Sequence, residues 1–336
     1  MPSDSNNGAI ALIQRQDVVF FASLLRGLEG SIYPILQQAK VPIDLYSSES
    51  NYDYLPENTV KNLIQALGER LEHQEFIQLI SSACKNIYIP EFIRRLTQSG
   101  SLREALDEFA KQLKSNITHT NVYTQFSGGS WWLVREKEGV DEAWFTHAEL
   151  FSVIFTCELL SALTSNKWRP KQVGIQSADE AVFSTLPQLT RSQFFTNRPV
   201  TAFSIEESLM TAPVSHPYIS TKDPIAAIPS RDCFLGTFKL AIQPYLSMGK
   251  LPIKMAAQIL QLNVRTLQRR LAKESVQYGA IIEEMVLEQT LDLLKCPSLK
   301  ITSIAIRMGY SDAAHFTRAF KRQMQMTPTA YRRQFD

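Results

Sequence analysis

Apolar residues recur three and four positions apart between Asp17 and about Lys114. Residues at this spacing share one face of a helix, so the pattern predicts amphipathic helices packed on a common core. The stripes are Val18, Phe21, Leu24, Leu25 and Leu28, and further along Leu63, Leu67, Leu71, Phe76, Ile77 and Ile80. Ser101 and Glu104 form a capping box, in which each side chain can satisfy a free backbone group. This box predicts the start of another helix.

The middle of the chain favours strands. Val122–Phe126 and Ser130–Val134 flank the pair Gly128-Gly129, and this arrangement predicts a β-hairpin. A helix is expected over His147–Leu163, with His147 itself at the surface of its start. Short β-rich segments follow at residues 172–176, 193–196 and 200–204. Together these elements predict an α+β domain.

Prolines separate this domain from the rest of the chain. Pro213, Pro217, Pro224 and Pro229 remove backbone donors and disfavour helix before them, which predicts a linker. Beyond Asp232 the pattern is almost entirely helical. We therefore expect a disordered N-terminus at 1–14, an α+β domain at 15–214, a linker at 215–230 and an all-α domain at 231–336.

The all-α domain carries one short pattern twice, at about residues 253–273 and 301–322. Each copy is a short apolar helix, a polar break capped by Asn263 or Asp312, and a second helix with two apolar anchors. The anchors are Leu267 and Leu271 in the first copy, and Phe316 and Phe320 in the second. Such helix-turn-helix motifs place their second helix in the major groove of DNA. The helix predicted over Tyr278–Leu294 would link the two motifs.

The opposite face of each second helix carries the side chains that can meet DNA. In the first copy these are Arg265, Gln268 and Arg269. Arginine can bond guanine in a bidentate manner, and glutamine can do so with adenine. In the second copy the outward stripe is Ala314, Thr317, Arg318 and Lys321.

The distribution of charge agrees with this interpretation. The net charge is +2, yet residues 249–336 hold 14 Lys and Arg against 7 Asp and Glu, while the remainder holds 21 against 26. A basic module on a mildly acidic body is expected where only that module meets phosphates.

Other classes of protein receive little support. The chain shows no signal peptide and no apolar stretch long enough to span a bilayer, so a cytoplasmic location without membrane partners is expected. The four cysteines and five histidines lack the spacing of metal ligands, so no metal is expected. No nucleophile–base pair or phosphate loop is visible, so we expect no enzyme, no catalytic residue and no cofactor.

The C-terminal region, from about Cys233 to Arg333, resembles the DNA-binding domain of the AraC/XylS family of transcription regulators. The strongest segment is Ile304–Arg322, followed by Thr327-Pro328 and Tyr331-Arg332, and Arg265–Leu271 matches the first recognition helix. The resemblance implies two helix-turn-helix motifs joined by a linker helix. It implies base contacts by Arg265, Gln268, Arg269, Ala313, Ala314, His315 and Thr317, and a backbone contact by Arg318.

Three positions depart from the family pattern. Gln261 stands where many relatives have glycine in the first turn, and Gln325 replaces the glycine before Thr327-Pro328. Val286 stands where the linker helix usually carries arginine.

The N-terminal part, about residues 15–214, resembles the arabinose-binding-type sensor domain of one branch of this family. The segments that carry this resemblance are Val41-Pro42, Leu55-Pro56, Leu102–Leu106 and Trp168-Arg169-Pro170. It implies an effector-binding or dimerisation domain, with ligand-binding residues unknown. The expected function is therefore a regulator that binds double-stranded promoter DNA under the control of a small-molecule effector. A domain that only self-associates or binds a protein partner stays open, as do RNA polymerase and a second copy of the chain as partners.

Overall fold

The computed structural model describes residues 9–27, 32–47, 50–94, 96, 100–116, 120–214, 233–248 and 251–335. Residues 1–8, where disorder was expected, and the linker at 215–230 lie outside the described residues. The chain packs as two compact units. Unit 1 comprises Met1–Arg15, Pro42–Asn58 and Pro229–Asp336, and unit 2 comprises Gln16–Val41 and Thr59–Ile228.

The described residues contain seven strands and sixteen α-helices. The strands are β1 (Leu12–Gln14), β2 (Tyr54–Pro56), β3 (Thr120–Ser127), β4 (Ser130–Lys137), β5 (Gln172–Gly174), β6 (Gln193–Phe195) and β7 (Thr201–Ile205). The helices of the first 214 residues are α1 (Arg15–Leu24), α2 (Tyr33–Gln38), α3 (Glu57–Gly68), α4 (His73–Ala83), α5 (Ile89–Ile93), α6 (Leu102–Asn116), α7 (Phe145–Leu163), α8 (Ala181–Ser184) and α9 (Glu207–Met210). Those that follow are α10 (Phe234–Ile242), α11 (Ile253–Ile259), α12 (Val264–Lys273), α13 (Tyr278–Leu294), α14 (Ile301–Arg307), α15 (Ala313–Met324) and α16 (Pro328–Arg332).

Unit 2 is built on a five-stranded sheet of order β3-β4-β7-β5-β6. The predicted hairpin is confirmed: β3 and β4 pair antiparallel around Gly128 and Gly129, both with positive φ. The capping box at the start of α6 is also confirmed, because Glu104 accepts from the backbone of Ser101 and Ser101 accepts from the backbone of Glu104. The sheet and its surrounding helices therefore follow the α+β prediction.

Helix α7 is the apolar centre of unit 2. Its length and apolar composition would suffice for a membrane-spanning helix. However, 72% of its most apolar stretch of 18 residues is buried inside the structure. Thirteen of its residues are buried, among them Val153, Leu159 and Leu160. This burial explains its hydrophobicity as that of a core helix.

Unit 1 joins residues from both ends of the chain. Strands β1 and β2 pair antiparallel, with Leu12 opposite Pro56, and every residue of both strands is buried. We call this pair the N-terminal ribbon. A two-stranded ribbon is marginally stable by itself, so its burial requires cover from other elements. Helix α10 packs against β2 and provides part of that cover.

Hydrogen bonds fix the N-terminal segments to the C-terminal helices. The backbone N–H of Ile10 donates to the hydroxyl of Thr237 on α10, with an N–O distance of 2.9 Å. Gln243 donates to the backbone carbonyl of Asn51 at 2.9 Å, and Gln289 of α13 donates to the side-chain oxygen of Asn51 at 3.1 Å. These bonds tie both N-terminal segments of unit 1 to the helices after residue 233.

This arrangement differs from the sequence-based expectation in two ways. Residues 9–14, expected to be disordered, are ordered because the ribbon buries Leu12 and Ile13. Residues 42–58, expected within one continuous domain over 15–214, pack in unit 1. Both differences have one physical reason. The pairing of β2 with β1 places the segment around β2 in the core of unit 1.

Helix α13 has the bounds predicted for the linker helix. Near its start, the hydroxyl of Tyr278 donates to the carbonyl of Leu251. Near its end, Leu293 and Leu294 join the buried cluster formed with Ile304, Ala305, Met308, Phe316 and Phe320. The helix therefore has one end in contact with the helices before it and the other in the core of those after it.

We predict that Thr237→Val lowers the stability of unit 1 by about 1–3 kcal/mol, because it leaves the buried N–H of Ile10 without its acceptor. All four tryptophans lie in unit 2, so the readout is hydrogen exchange of peptides from residues 9–15 and 233–248 in the full chain. The matched control is Thr290→Val, since Thr290 is equally buried but its hydroxyl bonds only Val286 of its own helix. Equal effects of the two variants would contradict the prediction.

Candidate nucleic-acid interface

Helices α11 and α12, which we call the first helix pair, meet at a tight turn. Leu262 donates its backbone N–H to the carbonyl of Ala257, and Gln261 adopts a left-handed conformation with φ of 50°. The side chain of Asn263 accepts from the backbone N–H of Thr266 at 2.7 Å. The predicted N-cap is thus confirmed, and it fixes where α12 begins.

The first helix pair separates an apolar face from a polar one on α12. Leu267 and Leu271 are buried, as the i, i+4 spacing predicts. Arg265, Gln268 and Arg269 are exposed, so the three residues predicted to contact bases lie free of the core. Arg270, in contrast, is half-buried with its guanidinium above the ring of Phe234. Through these three residues the helix presents two guanidinium groups and one amide outward.

Helices α14 and α15, which we call the second helix pair, repeat this geometry. Gly309 occupies the left-handed position with φ of 74°, and Tyr310 donates its N–H to the carbonyl of Ala305. Asp312 accepts from the backbone N–H of His315 at 2.6 Å, which confirms the second predicted N-cap. That hydrogen bond is the largest contribution that lowers the pKa of Asp312. A carboxylate at this end also suits the helix dipole.

The residues predicted on α15 fall into two groups. Ala314, His315, Arg318 and Lys321 are exposed. Ala313 is half-buried and packs against the cluster around Phe316 and Phe320. Thr317 is also half-buried, and its hydroxyl donates to the carbonyl of Ala313 at 2.7 Å. The structure therefore leaves Ala313 and Thr317 less available to a ligand than the other four.

Two neighbours of His315 were not assigned a role from the sequence. The ring of Tyr310 meets the imidazole edge to face at 5.5 Å between centroids, and the Ser311 hydroxyl lies 3.5 Å from His315 Nδ1. Both contacts bear on the orientation of the imidazole. In the sequence, the only indication of such a role was that Tyr310 and Ser311 lie within the segment that resembles the family.

Comparisons with known proteins agree on this region. Residues 256–334 match the family model described as a helix-turn-helix domain. The HTH-type transcriptional regulator VirS of Mycobacterium tuberculosis is 36% identical over 87 residues, and VqsM of Pseudomonas aeruginosa is 35% identical over 79 residues. These matches cover 26% and 24% of this chain and the same shares of the relatives, so the chain matches about a quarter of their length. The C-terminal region is an AraC-type helix-turn-helix domain.

Solved structures of transcription regulators are also similar to this chain. CdpR from Pseudomonas aeruginosa aligns over 83% of this chain and 92% of its own, with 16% identity and a TM-score of 0.37. The C-terminal domain of the response regulator yesN from Fusobacterium nucleatum aligns over 28% of this chain and 93% of its own, with 23% identity and a TM-score of 0.26. The arabinose-binding type of the N-terminal part stays a prediction.

The departures of this AraC-type domain from the family pattern now have a structural meaning. Gln261 and Gln325 both occupy left-handed backbone, with φ of 50° and 56°. Glycine adopts this conformation without steric cost, whereas a side chain costs about 1 kcal/mol. Val286 packs against the core of the second helix pair, so it extends that apolar surface where a charged residue was expected.

We predict that Gln261→Gly and Gln325→Gly each stabilise the AraC-type domain by about 0.5–1 kcal/mol, because glycine relieves the left-handed strain. Hydrogen exchange of peptides from residues 251–335 in the full chain measures the change. Gln268→Gly is the matched control, since Gln268 lies inside α12 and glycine there should destabilise by a similar amount. Destabilisation by all three variants would show that neither turn is strained.

Proposed function

We propose that this protein is a sequence-specific DNA-binding transcription regulator whose two helix pairs act as two helix-turn-helix motifs. The observation that carries the proposal is the capped helix α12, which presents Arg265, Gln268 and Arg269 outward from an AraC-type domain. These side chains have the donors that recognise guanine and adenine edges. For both pairs to read one face of DNA, α12 and α15 must enter major-groove segments about 34 Å apart.

The two helix pairs have different chemistry. Helix α12 offers two exposed guanidinium groups and an amide. Helix α15 offers Ala314, which can make only apolar contact, for example with a thymine methyl, together with His315, Arg318 and Lys321. The hydroxyl of Thr317 donates to the backbone carbonyl of Ala313, so this residue offers no free donor to a base. We therefore assign sequence reading mainly to the first helix pair and attachment to phosphates mainly to the second.

The N-terminal α+β part supplies the regulation in this proposal. Its role is to bind a small-molecule effector in the cytoplasm and so to change promoter binding. The second candidate is a regulator whose N-terminal part only self-associates or binds a protein, and RNA polymerase remains a candidate partner of either. Sedimentation of the full chain, with and without a candidate effector, separates regulation by ligand from regulation by assembly alone.

We predict that Arg269→Ala weakens binding to the best promoter fragment by about 1–3 kcal/mol and relaxes the preference at one base position. Arg318→Ala, assigned to phosphate, should instead weaken all sequences equally and lower the salt slope by about one. Binding of the full chain to single-base variants of a fragment from its own promoter region, at several salt concentrations, measures both. The proposal fails if wild-type affinity is independent of sequence.

A further inference from the structure

Unit 2 contains a cavity of about 410 Å³ that the sequence analysis did not anticipate. This volume lies within the range of pockets that bind small molecules. Its polar lining includes His73, His147, Gln176 and Ser177, while Leu150 and Phe183 contribute apolar walls. The lining comes from α4, α7, α8 and the connections between them, so no continuous motif in the sequence marks it.

The hydrogen-bond donors at one wall are already used by a buried carboxylate. Glu149 is fully buried on α7 and accepts from the backbone N–H groups of Gln176 and Ser177, at 2.7 and 2.9 Å. It also accepts from the hydroxyls of Ser177 and Thr201. The side-chain amide of Gln176 donates to the carbonyl of Lys137 at 3.0 Å. These contacts fix the segment at 176–177 and engage both of its backbone N–H groups, the Ser177 hydroxyl and the Gln176 amide.

Acceptors remain at the same wall. Gln176 is only 8% exposed, and its Oε1 atom has no hydrogen-bond partner among the described residues. Nδ1 of His147 is likewise buried and unpartnered there. His147 is half-buried, contrary to the surface position expected from the sequence. Burial, followed by the charge of His73, lowers the pKa of His147, which favours a neutral imidazole with one acceptor nitrogen. Buried acceptors without donors are costly, so they favour a ligand that donates.

Two carboxylates belong to the lining of the cavity. Asp141 and Asp179 both line the cavity and are exposed at its surface, whereas its lining contains neither lysine nor arginine. A carboxylate or phosphate ligand would meet these two negative charges, with the imidazoles of His73 and His147 as the basic groups of the lining. An ammonium group, in contrast, is attracted by the carboxylates and offers three donors to the acceptors of the wall.

We propose that this cavity binds a small organic cation that carries a primary ammonium group, with Asp141 and Asp179 attracting the charge and the side chains of Gln176 and His147 turning their unpartnered acceptors toward it. The apolar surfaces of Leu150 and Phe183 hold the carbon skeleton of the ligand. The inference rests on the proposed effector control and names the chemical class of the effector.

The test uses the full chain and matched probes in isothermal titration. Putrescine and tyramine carry primary amines. In 1,4-butanediol and tyrosol a hydroxyl replaces each of these amines, and in succinate a carboxylate replaces each aminomethyl group of putrescine. We expect binding of at least one of the two amines, binding of its hydroxyl counterpart at least about tenfold weaker, and no binding of succinate. Failure of both amines to bind at about millimolar concentration, or equal binding of amine and hydroxyl probes, overturns the inference.

Variants then locate the binding. The double change Asp141→Asn and Asp179→Asn keeps the side-chain shapes and should weaken amine binding at least about tenfold. Glu180→Gln is the matched control, because Glu180 adjoins Asp179, is exposed and does not line the cavity, and its effect should stay within about twofold. Equal weakening by the control and the double variant would place the amine elsewhere and overturn the site.

The outcome is separable from the proposed DNA function. Sequence-specific promoter binding is measured on the same protein without amine. If that binding is specific and no amine binds, the ligand inference alone fails. If promoter binding does not depend on sequence, the proposed function fails, whatever the titration shows.

Discussion

One buried hydroxyl joins the N-terminal ribbon to helix α10, more than 200 residues later in the sequence. Thr237 accepts the backbone N–H of Ile10 and donates within its own helix, to the carbonyl of Cys233 or Phe234. A buried backbone donor must find a partner, so this bond decides where the N-terminal ribbon can lie against α10. The helices of the AraC-type region build on the same unit, since Asn51 accepts from both Gln243 and Gln289. Helix α13 and the segment after α10 are therefore held by a residue about 190–240 positions earlier in the sequence.

Local patterns were sufficient to predict the helices of the AraC-type domain. The spacing of Leu267 and Leu271 and the caps at Asn263 and Asp312 depend on neighbours within four residues, and each was predicted correctly. The burial of Ala313 was not, because it depends on how α15 rotates against its core. The bond from the Thr317 hydroxyl to the carbonyl of Ala313 was not predicted either, although it joins residues four apart on one helix. The family resemblance gave these residues a contact role without indicating that rotation.

Features that depend on pairing between residues far apart in the chain could not be predicted from the sequence. Strands β1 and β2 have three residues each and are separated by nearly forty residues. They are too short to show an alternation of apolar and polar residues, and no turn motif links them. The cavity in unit 2 escaped for a related reason. In the sequence, Glu149 is one of two acidic residues in the otherwise apolar helix α7. Only the fold shows that its carboxylate accepts hydrogen bonds from residues 176 and 177. The acceptors left over there follow from that pairing.

The discontinuity of unit 1 also bears on how the protein is made. All of unit 2 precedes residue 229, whereas the ribbon needs a partner 227 residues after Ile10. At about 5–20 residues per second, a ribosome takes roughly 11–45 s to add those residues. During that interval the ribbon has no cover from α10, because nearly all of unit 2 is synthesised between β1 and Thr237. The order of synthesis thus leaves the apolar residues of β1 and β2 in need of other protection until α10 has emerged.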